Sequence, residues 1–169
     1  MSVRTFDPTQ KKEYPGFTNY PFFHRSGKMP WAASAVLDMS KIDKLIFCSG
    51  QTGRDPETDR EPLDWDEERA RVGRLVGPGV TEQTIACWTR IKETLDGLGV
   101  RMEHIVYVHY YLVNRDDWWD MWHATHDFFQ QHAPDLTEHP RAATLLKGIQ
   151  LDLPGQLIEI EVTAIIPKK

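Results

Sequence analysis

The sequence predicts an α+β fold: one mixed β-sheet carrying two helices on one face. Three observations predict it. Short runs rich in β-branched and aromatic residues lie toward both ends of the chain, around Ile46, Val108 and Ile160. Two stretches, residues 81–98 and 116–131, carry apolar side chains at spacings of three and four. The resulting order is strand, strand, helix, strand, helix, strand, strand, which suits a single layer of helices on a single sheet. The 169 residues are 40% hydrophobic and 27% charged, which fits one domain with a sizeable core.

Each element has its own warrant. Residues 1–31 read as an irregular N-terminal arm, because Pro15, Gly16, Pro21, Gly27 and Pro30 interrupt any period. Its rings, Tyr14, Phe17, Tyr20, Phe22 and Phe23, indicate that it docks on something. Residues 32–169 form the α+β domain. Its first strands are expected at 32–37 and 44–48; the consecutive Leu45, Ile46 and Phe47 suggest burial on both faces. Ser49, Gly50, Gln51, Thr52 and Gly53 then read as a turn ending that strand. Residues 54–79 make a long charged connection with room for a helical turn at 66–75.

Gly77, Pro78 and Gly79 are a stop signal, Thr81 an expected N-cap, and Glu82 suits the helix dipole. The apolar stripe of that helix is Ile85, Trp88, Ile91, Leu95 and Leu98. Residues 104–113 are the clearest strand, apolar on both faces. A second helix at 116–131 puts Trp118, Trp122, Thr125 and Phe129 on one stripe. Strands follow at 141–146 and 157–166. In the last, Glu159 and Glu161 share one face, while Ile158, Ile160, Val162 and Ala164 take the other.

Charge and cysteine usage narrow the function. A net charge of −5 gives no long-range pull on phosphates, so generic nucleic-acid binding is disfavoured. Cys48 and Cys87 sit in apolar runs and read as buried free thiols in a reducing compartment. No apolar stretch has the length of a signal peptide near the N-terminus or of a membrane span anywhere. A cytoplasmic location and no membrane partner are expected.

The run from Leu45 to Gln51, the helix before Gly99 and Val100, and the helix ending in Phe128 and Phe129 resemble the Rid (reactive intermediate deaminase, YjgF-like) family. Pro140, Arg141 and Ala142, then Leu153 and Pro154 ahead of Ile158, Glu159, Ile160 and Glu161, complete that resemblance. It implies a chorismate-mutase-like fold and homotrimers whose sheets surround a central barrel, with ligand sites in the clefts between subunits. It further implies hydrolysis of enamines and imines, such as 2-aminoacrylate, to a 2-keto acid and ammonia, with neither metal nor organic cofactor.

The same resemblance assigns roles to residues. Arg141 would anchor the substrate carboxylate, since a guanidinium fork matches it with two parallel hydrogen bonds. Glu159 would orient or deprotonate the attacking water. Ser49, Gly50 and Gln51 would line the site. Three departures from the family pattern stand out. The site-lining tyrosine of the first strand is absent, its place falling near Trp31 or Ala32. The asparagine before the Phe-Phe pair is Trp122. The cysteine two residues after the key arginine is Ala143, whose backbone amide can still meet a carboxylate. Together they suggest a substrate larger than 2-aminoacrylate, or aromatic-derived, such as an aminomuconate-like enamine.

Competing readings come from other residues. His123, His126 and His132 have helical spacing but no metal motif, so no metal is expected. His109 reads as a hydrogen-bonded core residue. The Trp118, Trp119, Trp122, Phe128, Phe129 cluster has the rings of a base-stacking platform, and some members of the family are described as endoribonucleases, but its helical spacing favours packing. A trimer that binds keto acids without turnover remains the main alternative to a deaminase.

Overall fold

The computed structural model describes residues 7–24, 27–55 and 75–169. Seven strands form one mixed sheet: β1 (Lys12–Tyr14), β2 (Phe17–His24), β3 (Gly27–Leu37), β4 (Ile42–Thr52), β5 (Ile105–Leu112), β6 (Ala142–Lys147) and β7 (Ile158–Pro167). Their order across the sheet is β1-β2-β3-β6-β5-β7-β4, with β6 parallel to both β3 and β5 and the other pairs antiparallel. Helices α1 (Val80–Gly97) and α2 (Trp118–His132) cover one face; a short helix α3 (Asp135–Glu138) leads into β6. This is the expected α+β architecture.

The helix-covered face is the core. Ile158, Ile160, Val162 and Ala164 of β7 and Val108, Tyr110 and Leu112 of β5 point into it, as strand alternation requires. Trp88 is its centre: fully buried, its ring lies edge-on to Phe129 at 4.6 Å and to Tyr110 at 6.1 Å, and its Nε1 donates to Thr125 Oγ1 at 3.0 Å. That bond satisfies the indole N–H, which would otherwise be costly to bury.

Several sequence expectations change here. The N-terminal arm is not irregular. Pro15 and Gly16 form the turn of a β1–β2 hairpin, with Gly16 at φ 88°, and Pro21 sits at a register shift where it need not donate to the ladder. Phe17 joins Ile42, Val106 and Ile165 in a second small core, so the arm is continuous with the sheet.

Helix α1 begins one residue before Thr81 and is capped at Gly79 without a side-chain bond. Its buried stripe is Val80, Gln83, Thr84, Cys87, Trp88, Ile91 and Leu95, while Ile85 and Leu98 are exposed. Gln83 replaces the expected Ile85 because its amide has work in the core: Nε2 donates to Gly77 O (3.1 Å) and Gly155 O (3.0 Å), and Oε1 accepts from Leu157 N at 2.9 Å. The run Ser49, Gly50, Gln51 is not a turn. It lies inside β4 at a bulge, where the register against β7 shifts between Cys48 and Gln51. Leu45 and Phe47 are exposed, so β4 is not buried on both faces. The helical turn expected at 66–75 lies outside the described residues apart from Leu75, which bridges to Arg54.

Candidate functional site

A cavity of about 510 Å³ lies on the helix-covered side, between β6 and the start of α2. Ala143 and Leu145 form its floor with Val108 and Tyr110 of β5; Trp118, Trp122 and Phe129 of α2 form one wall; Pro30 and Trp31 of β3 close the outer side. Alternation along β6 puts Arg141, Ala143, Leu145 and Lys147 on the cavity face, with Arg141 toward one end and Lys147 toward the other. Trp31 meets Trp118 edge-on at 6.1 Å and Trp122 stacks on Trp118 at 5.9 Å, so the upper half is an aromatic box. Among the described residues, no Asp, Glu, His, Ser or Thr lines it. This described lining therefore offers no side chain suited to general acid–base work at neutral pH.

Arg141 does not present a free fork. It is 4% exposed and its five N–H groups are all engaged within its own chain. Nε donates to Ile105 O (2.8 Å); Nη1 donates to Tyr14 Oη (3.1 Å) and to His139 O; Nη2 donates to Glu103 O (2.8 Å) and to Asp135 Oδ2 (2.9 Å). The ring of Tyr14 covers the guanidinium at 4.4 Å. Asp135 thus takes the place that a ligand carboxylate was expected to fill. Burial pushes its carboxyl pKa up, yet hydrogen bonds from Tyr14 and Arg141, with the Arg141 charge, outweigh that and hold it below the usual carboxylate range. A ligand acid reaching this fork would leave Asp135 without its counter-charge, at a cost of about 3–5 kcal/mol.

Glu159 sits elsewhere. Along β7 it alternates with the core residues Ile158 and Ile160, and its carboxylate lies over Gly50: a Cβ at Gly50 would come within 1.8 Å of Glu159 Oε1. Gly50 is needed for that close approach, since its φ is not positive. Gln156, buried at 3%, donates from Nε2 to Glu159 Oε2 at 3.3 Å, and Gln51 Nε2 bonds Ser49 O at 3.1 Å. Glu159, Ser49, Gly50 and Gln51 therefore come together, as do Arg141, Trp122 and Ala143.

The two groups do not meet within one chain. Leu146 and Glu159 both pair with Tyr111, so Glu159 lies level with the far end of β6. Five residues separate Arg141 from that level, or roughly 16 Å along the strand, with two strand spacings of about 5 Å each between β6 and β7.

The face of the sheet away from the helices carries a polar and aromatic ladder. His109 Nδ1 lies 2.6 Å from Glu161 Oε1, Tyr111 Oη donates to the same oxygen at 3.1 Å, and Tyr107 Oη meets Thr144 Oγ1 at 2.5 Å. His109 is thus a half-exposed partner of Glu161 and not a core residue. Phe47, 77% exposed, and Leu146 and Leu45 border the ladder. Sequence reasoning had no means of finding Asp135, Gln156, Lys147 or the part played by Tyr14, since these roles arise from contacts across the fold.

A mixed sheet with two helices on one face, and an aromatic cavity between sheet and helix, define a small α+β protein with a ligand-sized cavity. The family model described as endoribonuclease L-PSP matches residues 27–166, and the chain belongs to this family, the YjgF/Rid group. Solved structures agree at the level of fold. A Rid-family protein, YyfB from Yersinia pestis, is 21% identical with a TM-score of 0.61, covering 81% of this chain and 87% of its own. Rv2704 from Mycobacterium tuberculosis, of the YjgF/YER057c/UK114 family, is 18% identical with a TM-score of 0.53, covering 80% and 86%. TdcF from E. coli, solved with bound serine, is 18% identical with a TM-score of 0.54, covering 77% and 84%. No curated protein matches the chain. Among the described residues, no helix is long and apolar enough to cross a membrane.

Proposed function

We propose that this chain works as a homotrimeric enamine/imine deaminase, converting a carboxylate-bearing imino acid to a keto acid and ammonia. The observation that carries this reading is the division of the site: a cavity without an acid–base group among its described lining residues, and a positioned carboxylate, Glu159, at the other end of the same sheet. Two copies packed side by side offer a way to bring one cavity against the neighbour's Glu159.

Glu159 then takes a proton from water as its oxygen attacks the imine carbon, and the C=N π-electrons move to nitrogen. Nitrogen takes that proton back from Glu159 to complete the carbinolamine, whose O–H proton then passes through Glu159 to nitrogen as the C–N bond breaks, ammonia leaves and the carbonyl forms. Ser49 and Gly50 supply backbone groups beside the water, and the Ala143 amide lies in the cavity floor. Arg141 frames the cavity end, with its charge balanced by Asp135. Serine bound to TdcF is a small amino acid with the same carboxylate-next-to-nitrogen pattern. No metal or cofactor enters this chemistry.

The test is ammonia release from imines generated in situ by an amino-acid oxidase, with and without the protein. Acceleration in the native protein and its loss in Glu159→Gln support deaminase activity. Unchanged ammonia release in the presence of native protein defeats it and leaves the second reading, a keto-acid-binding trimer without turnover, which the absence of acid–base side chains in the cavity favours.

A further inference from the structure

The cavity has a cation at each end, but only one of them is unspent. Arg141 has its five donors satisfied and its charge met by Asp135. Lys147 has no carboxylate partner among the described residues. Its ammonium rests over the Trp118 ring at 5.0 Å, so it is already directed at the aromatic box instead of ranging freely in solvent. It shares the cavity face of β6 with Ala143 and Leu145.

We propose that Lys147 holds the substrate carboxylate and that the substrate class is an aromatic 2-imino acid, its ring lying among Trp31, Trp118 and Trp122. This rests on the deaminase reading for the reaction, though not for the binding. Three features of the cavity converge. The volume, about 510 Å³, far exceeds a three-carbon acid. The walls are indole and phenyl rings, which favour offset or edge-on contact with a planar apolar body. A strongly hydrated ammonium at the exposed end gives a carboxylate a charge-assisted bond without requiring Asp135 to be displaced. A small imino acid held by Lys147 would leave most of the aromatic wall uncovered and would bind weakly.

The experiment is calorimetric titration of the native trimer with phenylpyruvate, pyruvate and phenylacetone, repeated with Lys147→Met and Lys147→Arg. Phenylpyruvate should bind at least about tenfold more tightly than pyruvate, weaken as salt rises, and lose about tenfold or more in Lys147→Met while Lys147→Arg retains most of its affinity. Phenylacetone, which has the ring but no carboxylate, should bind native and Lys147→Met protein alike. Equal phenylpyruvate affinity in native and Lys147→Met protein overturns the proposal, as does equal affinity for pyruvate and phenylpyruvate. Ammonia release is read in parallel. Turnover that survives in Lys147→Met with unchanged affinity defeats the Lys147 assignment and leaves the deaminase intact. Lys147-dependent binding without any turnover supports the assignment and defeats the deaminase.

Discussion

Asp135 and Arg141 are joined at 2.9 Å, and the Tyr14 hydroxyl donates to the same carboxylate oxygen at 2.7 Å. The three residues come from β1, from α3 and from the position just before β6, so one ion pair ties the N-terminal hairpin to the centre of the sheet. Asp135→Asn removes the counter-charge of a guanidinium that is almost wholly buried. The expected loss is about 3 kcal/mol of stability, which lowers Tm by roughly 6–12 °C in a chain of this size. A thermal melt of the variant checks this; a Tm within two or three degrees of the native value means that the pair adds little.

Acid should destabilise the fold in two stages. His104 has a pKa lowered from 6.5, chiefly by burial and then by Arg101, and its buried Nδ1 has no partner. The unfolded chain therefore takes up its proton first, and the stability from keeping this ring neutral is complete above about pH 6.5 and declines below it. Asp135 is also lowered, so its share persists to lower pH and is lost as pH falls from about 4 through its folded value. Denaturant midpoints measured from pH 8 to 3 should show both declines, and His104→Gln should remove the first. A midpoint flat from pH 7 to 5 in the native protein contradicts the role of His104.

Gly50→Ala separates position from presence at Glu159. The three atoms nearest the added methyl all belong to the Glu159 side chain, which can swing aside, so stability should fall by about 1 kcal/mol or less. If Glu159 is the general base of the proposed deaminase, moving it off its water should lower kcat by about a hundredfold or more, with KM little changed. Native kcat in Gly50→Ala would show that the Glu159 geometry is not used.

Much of this fold was legible in the sequence because its period signals were strong. Strand β5, where Ile, Val and Tyr fill six of its eight positions, and the Phe128–Phe129 end of α2 fall within two residues of expectation. The hairpin of β1 and β2 was hidden because Pro15, Gly16 and Pro21, read as breakers, serve as a turn and a bulge. The site was half legible. Arg141, Trp122 and Ala143 do gather, and so do Glu159 and Gly50. The filled fork of Arg141 was not legible, since Tyr14 lies 127 residues away in the chain. Nor was the spare charge of Lys147, which shows only against the satisfied arginine.

Phe47 tests the assembly. A phenylalanine 77% exposed on a sheet face, two residues from the exposed Leu45 on the same face of β4, marks an apolar patch that a second copy would cover. Phe47→Glu should convert a trimer to monomer in light scattering and abolish turnover without lowering the helix content seen by circular dichroism. A trimer that persists in Phe47→Glu places the subunit contact on another face.

The most direct measurement is subunit mixing. Ala143→Phe fills the cavity and Glu159→Gln removes the base, and each variant alone should release no ammonia above background. When the two are unfolded together and refolded as mixed trimers, about a quarter of the clefts combine an open cavity with an intact neighbouring Glu159, so roughly a quarter of native activity should return. Mixed trimers that stay inactive, with mixing confirmed by mass, would contradict a site shared between copies.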